Sequence, residues 1–161
     1  MSELTQADVK RRYFYDPACG HLFHLIGRRK GKQVGYIKHQ GYIQVSIGNK
    51  KYQEHRLIWL YFNGYLPDLL DHINCCKSDN RIENLRPASH QQNAANRNLT
   101  IKNSSGYKGV TQLPNGRYQA QAMVNGTYYY LGVHESPEIA HEAFKKVSKP
   151  LNGEFFNGGI K

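Results

Sequence analysis

Asp71 and His72 stand side by side in this chain, with Asn84 and Asn93 following at short intervals. A carboxylate is a hard oxygen ligand for a divalent cation, and an imidazole titrates near neutrality and can take a proton from water. Hydrolysis of a phosphodiester needs a base for the water, a cation on the phosphate oxygens, and ligands that hold both in register. Neighbours on a regular strand point to opposite faces, so the strand must end or bend at this pair. Oxygen donors from Asp71 and Asn93 suit one magnesium or manganese ion better than zinc. His90 lies three residues before Asn93, on the same face of a helix, placed to contact phosphate or to serve as an alternative ligand. His55 is better suited to supporting the site or the fold. Taken alone, an Asp-His pair is more often a turn or a satisfied surface histidine, and nearby asparagines serve equally as loop and cap residues.

The elements that must position these groups are short. Residues 3–12 suit a brief helix or a loose lead-in, anchored by Leu4 and Val9. From Tyr13 to Tyr65 short strands alternate with turn signals: Asp16-Pro17 with Gly20, the basic turn Arg28 to Lys32, and a hairpin tipped by Gly48-Asn49. Ile43, Val45 and Ile47 alternate with Tyr42, Gln44 and Ser46, the period of a half-buried strand. Leu57 to Tyr65 predicts an apolar helix stopped by Asn63-Gly64. Residues 68–98 read as too polar for a core strand pair, with Pro87 closing one element and Ser89 capping a helix from about His90 to Asn98. Residues 99–105 look like a linker. Strands are expected at 106–113, 116–124 and 127–133, then a helix capped by Ser136, opened by Pro137 and running to about Val147.

Charge narrows the partners. There are 22 Lys and Arg against 12 Asp and Glu, a formal net charge of +10. The excess is spread over both halves, with 15 basic and 8 acidic residues in 1–98 and 7 and 4 in 99–161. Such a surface suits a polyanion, because neutralising phosphates releases counterions, although a basic soluble protein without that partner is the plain alternative. Cys19, Cys75 and Cys76 give neither a disulfide framework nor a zinc cage, which fits a reducing compartment. The N-terminal residues lack an apolar core of signal length and no run approaches a membrane span. A cytoplasmic protein with no membrane attachment and no small-molecule cofactor is expected.

The ordered set HRLIW (55–59), NGYLPD, DHINCCKSDNRIENLR (71–86) and NAANRN (93–98) resembles the HNH endonucleases, in the subtype common in phage genomes and related to homing endonucleases. The resemblance covers roughly residues 13–98. It implies a ββα-metal (His-Me finger) core at about 55–98: two strands, a loop and a helix around one divalent ion. Carried over, Asp71 binds the metal, His72 is the general base, Asn84 bonds within the loop and holds His72, and Asn93 is the second protein ligand at the final position of the motif. Cleavage to a 3′-hydroxyl and a 5′-phosphate is implied. Cys75-Cys76 depart from the small or polar turn residues usual there, as oxidisable thiols or as a tolerated substitution.

Residues 103–157, with SGYKGV, LG and EIAHEAF in order, resemble the Apetala-type domain of plant ethylene-response factors. That resemblance implies a three-stranded antiparallel sheet on one helix, its open face in the DNA major groove. Alternation agrees: Tyr118, Ala120 and Ala122 share one face of a strand, and small residues there let a helix carrying Ile139, Ala143, Phe144 and Val147 approach. The other face offers Arg117, Gln119, Gln121, Tyr128 and Tyr130, with Lys108 and Thr111 from the first strand. Gln can read adenine, and Arg and Lys can reach guanine or phosphate, whereas a solvated polar face is the commoner fate of such residues.

The expectation is an α+β protein with a nuclease domain at 1–98, a linker at 99–102 and a DNA-binding domain at 103–161. It would cut double-stranded DNA, nicking unless chains pair, since one site per chain and no legible dimer surface favour a monomer. The rival is a non-catalytic DNA-binding protein retaining the scaffold, which needs no divalent ion. A weaker third reading is RNA binding through the tyrosine-rich sheet.

Overall fold

The computed structural model describes residues 4–99 and 103–159; of the expected linker, 100–102 lie outside the described residues. The chain divides into two units, residues 1–88 and 89–161.

The first unit opens with helix α1 (Gln6–Arg12), its start fixed by a Thr5–Asp8 capping box. Strands β1 (Tyr13–Asp16) and β2 (His21–His24) form a hairpin whose turn is held by Asp16, and Gly20 N–H donates to the Asp16 carbonyl at 2.9 Å. A three-stranded antiparallel sheet follows in the order β3 (Tyr36–Ile37), β4 (Ile43–Ile47), β5 (Lys50–Gln53). Ile43 and Val45 are buried and Ser46 is exposed, as the alternation requires.

Helix α2 (Glu54–Asn63) is the spine of this unit, with Leu57 and Ile58 at most 1% exposed. They pack with Val9, Leu22, Val34, Val45, Leu70 and Leu85. Burial of this extent contributes about 1.5–3 kcal/mol per large aliphatic side chain. Gly64 ends the helix with φ of 75° and returns its N–H to the Leu60 carbonyl at 3.0 Å, a left-handed cap that costs glycine nothing. The helix starts at Glu54 rather than near Leu57, because two polar residues, Glu54 and His55, lie buried in its first turn.

Residues 68–87 correct the expectation drawn from their polarity. Strands β6 (Leu70–His72) and β7 (Leu85–Pro87) do pair, antiparallel, with Asp71 opposite Arg86 and His72 opposite Leu85. All three residues of β6 are buried. Polarity did not forbid the pair because its polar side chains are matched to partners.

The second unit begins with helix α3 (His90–Asn96), capped by Ser89 in a capping box with Gln92. The sequence-based division at 99–102 and the contact-based one at 88–89 thus differ by this helix. Strands β8 (Val110–Gln112), β9 (Tyr118–Val124) and β10 (Thr127–His134) form an antiparallel sheet in the order β10-β9-β8, against which helix α4 (Pro137–Asn152) packs. Ala120 and Ala122 are buried beneath the helix residues Ala140 and Phe144. The helix stripe is partly rotated from the expected one: Phe144 is buried and Ala143 packs as expected, but Ile139 is 56% exposed, and Ala140, His141 and Ser148 are buried, with 140, 144 and 148 forming an i, i+4 ridge on the sheet. The helix also runs past Val147 through Pro150, which in the last turn gives up one N–H bond. Gly109, at φ of 74°, lies so close to Phe144 that a Cβ there would overlap the ring. Among the described residues no helix is long and apolar enough to cross a membrane.

Candidate active site

Strand β6 ends at the chemically interesting pair. Asp71 and His72 are each 5% exposed. Arg86, opposite on β7, donates from Nε and Nη2 to Asp71 Oδ2 at 3.0 and 2.9 Å. A carboxylate offers about four lone-pair positions, so a guanidinium fork on one oxygen is compatible with a ligand role for the group.

His72 faces a different set. Its Nε2 is 2.9 Å from Asn80 Oδ1, and Asn80 Nδ2 donates to Glu54 Oε2 at 2.7 Å. Glu54 and Asn80 are both fully buried. Glu54 also accepts the Leu22 N–H on Oε1 at 2.9 Å, and its Oε2 lies 3.0 Å from His21 Nδ1. The His72 ring packs edge-on against His55, centroids 4.9 Å apart, with Tyr42 beyond at 6.1 Å. Burial pulls the His72 pKa below its usual value, opposed by the Asn80 hydrogen bond and the charges of Asp71 and Asp79. The ring is therefore neutral and able to accept a proton at physiological pH.

The loop from residue 73 to 84 is tied by Asn84. Its Oδ1 accepts the Asn74 N–H at 3.0 Å, and its Nδ2 donates to Asn74 Oδ1 at 3.0 Å and to the Asp79 carbonyl at 2.7 Å. Asn84 thus bonds within the loop as the resemblance implies, while the ring bond to His72 goes to Asn80. Asp79 is clamped by Arg81 through Nε at 2.8 Å and Nη2 at 2.6 Å, which holds its carboxyl down to about 2. Cys75 occupies a backbone position with φ of 60°, where glycine or asparagine is at ease and a thiol-bearing residue is strained. Neither it nor Cys19 nor Cys76 is in a disulfide.

The first unit therefore brings Asp71, His72 and Asn84 together and places His55 against His72. Asn93, half-buried, and His90, exposed, are on α3 in the second unit. Sequence reasoning missed Glu54, Asn80 and Arg86. A signal was present for Glu54, a carboxylate immediately ahead of an apolar helical run. For Asn80 and Arg86 local sequence holds none, since only folding reveals their partners.

Among the described residues no group of three or more His, Cys, Asp or Glu is gathered as a metal cage. In the first unit the oxygen donor at the end of β6 is the Asp71 carboxylate. Such a hard group fits a magnesium- or manganese-type ion that takes its remaining ligands mostly from water and phosphate.

On the second unit's open sheet face, Tyr128 and Tyr130 are 52% and 59% exposed, beside exposed Thr111 and Arg117 and half-buried Gln119 and Gln121. The two glutamines and Tyr128 form a network, with Gln119 Nε2 donating to Gln121 Oε1 at 3.1 Å and Tyr128 Oη donating to the same oxygen at 3.0 Å. Lys108 is differently engaged: its ammonium donates to the Ala95 and Arg97 carbonyls at the end of α3.

The sequence model of HNH endonucleases matches residues 52–95. An HNH endonuclease of Acanthamoeba polyphaga mimivirus, itself uncharacterized, is 32% identical over 150 residues, covering 83% of this chain and 78% of that protein. The chain belongs to the HNH endonuclease family. A solved structure described as DNA binding and cleavage by the HNH homing endonuclease I-HmuI aligns over 89% of this chain and 85% of that one, at 24% identity and a TM-score of 0.41. The HNH match runs from β5 to α3 and so takes in Asp71, His72, Asn84 and Asn93.

His55 gives the HNH unit an acid response of definite sign. Burial, then the electrostatic influence of the neighbouring His72 and Arg56, lowers its pKa from 6.5 to about 3. Its Nδ1 has no hydrogen-bond partner among the described residues, so the fold holds a neutral ring. The unfolded chain takes up the proton near 6.5. The stability is therefore complete above that pH and is lost as pH falls towards 3, by roughly 4–5 kcal/mol at the limit. His72, also lowered, acts in the same direction. The urea midpoint should fall steadily between pH 6.5 and 4, and His55→Leu should flatten that slope. A wild-type midpoint constant across this window would show that His55 is not held neutral.

Proposed function

We propose that this HNH protein is a divalent-metal-dependent, homing-endonuclease-like DNA endonuclease that hydrolyses phosphodiester bonds, leaving a 3′-hydroxyl and a 5′-phosphate. The observation that carries this is the buried Asp71-His72 pair at the end of β6, with a neutral imidazole held by a hydrogen bond to its Nε2. In this reading His72 takes the proton from the attacking water, and Asp71 and Asn93 hold the metal. Asn84 fixes the loop that follows the base, and His90 contacts phosphate or serves as an alternative ligand. When bound, the cation would neutralise the scissile phosphate and stabilise the leaving oxygen. The nuclease domain is residues 1–98, and residues 103–161 form the Apetala-type module. Metal-dependent cutting of plasmid, stopped by chelator, tests the reading.

The sheet face of the second module grips duplex DNA in this account, through Thr111, Arg117, Gln119, Gln121, Tyr128 and Tyr130, with Lys108 at its margin. Its polar network supports the assignment, since amides preset by neighbours lose less freedom on meeting a base edge. Replacing Gln119 and Gln121 together with Ala should relax the choice of cleavage sites before it removes affinity. Base-edge pairs contribute about 1–3 kcal/mol of discrimination each. Mapping cut sites by sequencing checks this, and an unchanged map would reduce the module to a non-specific clamp.

A further inference from the structure

We propose that Glu54, acting through Asn80, dictates which nitrogen of His72 carries the proton and so presents Nδ1 as the basic atom. The proposal rests on the nuclease reading for its consequence, but its structural content stands on the hydrogen bonds themselves.

The argument is one of donors and acceptors. Glu54 receives the Leu22 backbone N–H, a group that can only donate, on Oε1 at 2.9 Å. An ionised carboxylate has only acceptors to offer, so the Asn80 atom that meets Oε2 at 2.7 Å must be its NH2 group. That choice fixes the amide. Asn80 Oδ1 is then the atom turned to His72, and an amide oxygen can only accept. His72 Nε2, 2.9 Å away, must therefore carry the hydrogen, and in the neutral ring the lone pair is on Nδ1. Each link is buried, Glu54 and Asn80 completely, so water cannot substitute for a lost partner and reversing the amide would oppose two acceptors at Glu54.

The chain of bonds also joins three elements: β2 through Leu22, α2 through Glu54, and the loop and strand of the site through Asn80 and His72. A carboxylate bonded directly to the ring would fix the tautomer equally well but would put a charge beside the base. The intervening amide passes on orientation without it. Glu54 and Asn80 are thus positioning residues, acting through His72.

Glu54→Gln is the informative change, because glutamine has nearly the same shape but can donate as well as accept. It allows Asn80 to turn over, present NH2 to His72 Nε2 and move the ring proton to Nδ1. The experiment is long-range proton–nitrogen correlation NMR of the full-length, 15N-histidine-labelled chain at pH 7.5. The His72 signals are assigned by their loss in His72→Ala. Single-turnover cleavage and DNA affinity are measured alongside. The wild type is expected to show the Nε2–H tautomer. Glu54→Gln is expected to populate the Nδ1–H form and to slow cleavage at least about tenfold, a partial loss of the roughly 10²–10⁴-fold that a positioned general base supplies, with its Kd for DNA unchanged. An Nδ1–H tautomer in the wild type would overturn the proposal, as would a folded Glu54→Gln variant with wild-type tautomer and rate. If Glu54→Gln does not fold, Asn80→Ala provides the second variant, expected to give mixed tautomers, and the wild-type spectrum still decides. A wild type that shows the Nε2–H form but cuts no DNA would refute the nuclease reading and leave the relay standing.

Discussion

Replacing His72 with Ala is expected to lower single-turnover cleavage by about 10²–10⁴-fold, the usual contribution of a positioned general base. DNA affinity should stay close to that of the wild type, because the ring is 5% exposed and offers little surface to a ligand. The change does remove the partner of Asn80 Oδ1 inside a buried network, so a stability loss of about 1–3 kcal/mol accompanies it. The rate must therefore be read at a temperature where circular dichroism shows the variant folded. A parallel fall in rate and affinity would remove His72 from the role of base.

The second large effect is expected at Asp71, where structure and chemistry can be separated. Asp71→Ala should abolish detectable cutting and also destabilise the first unit by roughly 3–5 kcal/mol, because Arg86 is left buried without its carboxylate. Combining Asp71→Ala with Arg86→Leu removes both charges, and most of the stability should return. Cleavage should not. Denaturant unfolding and a plasmid assay on the single and double variants make the comparison. A stable double variant that still cuts would show that Asp71 serves the strand pair alone and holds no metal.

How far the sequence led can be judged from these residues. The Asp-His pair was legible because its neighbours in the chain are its neighbours in space, and the end of β6 at His72 follows from the need to aim both side chains. Asn84 was legible as a loop residue, and the structure gives its partners as Asn74 and the Asp79 carbonyl. The holder of the His72 ring was not legible. Asn80 meets His72 from eight residues on, and Glu54 meets Asn80 from 26 residues back, distances over which no local pattern constrains an amide. The same cause explains the strand pair that polarity argued against: Asp71 and Arg86, fifteen residues apart, neutralise one another only once β6 and β7 lie together. In the second unit, period-two alternation placed Ala120 and Ala122 correctly beneath the helix, and the exposed Tyr128 and Tyr130 on the other side. The helical stripe was less well defined. Phe144 packs as expected, but Ile139, apolar and in the first turn, is exposed while Ala140 is buried.

The central claim is that this HNH chain is a metal-dependent DNA endonuclease whose base is His72. Its most direct test is incubation of supercoiled plasmid and a large viral genomic DNA with the purified chain in magnesium, in manganese and with chelator, beside His72→Ala. The account predicts nicked or linear product that requires the metal, disappears with chelator and is absent in the variant. A complex that retards both DNAs in a gel yet leaves every phosphodiester intact in either metal would contradict it, and would make the chain a DNA-binding protein built on an HNH scaffold.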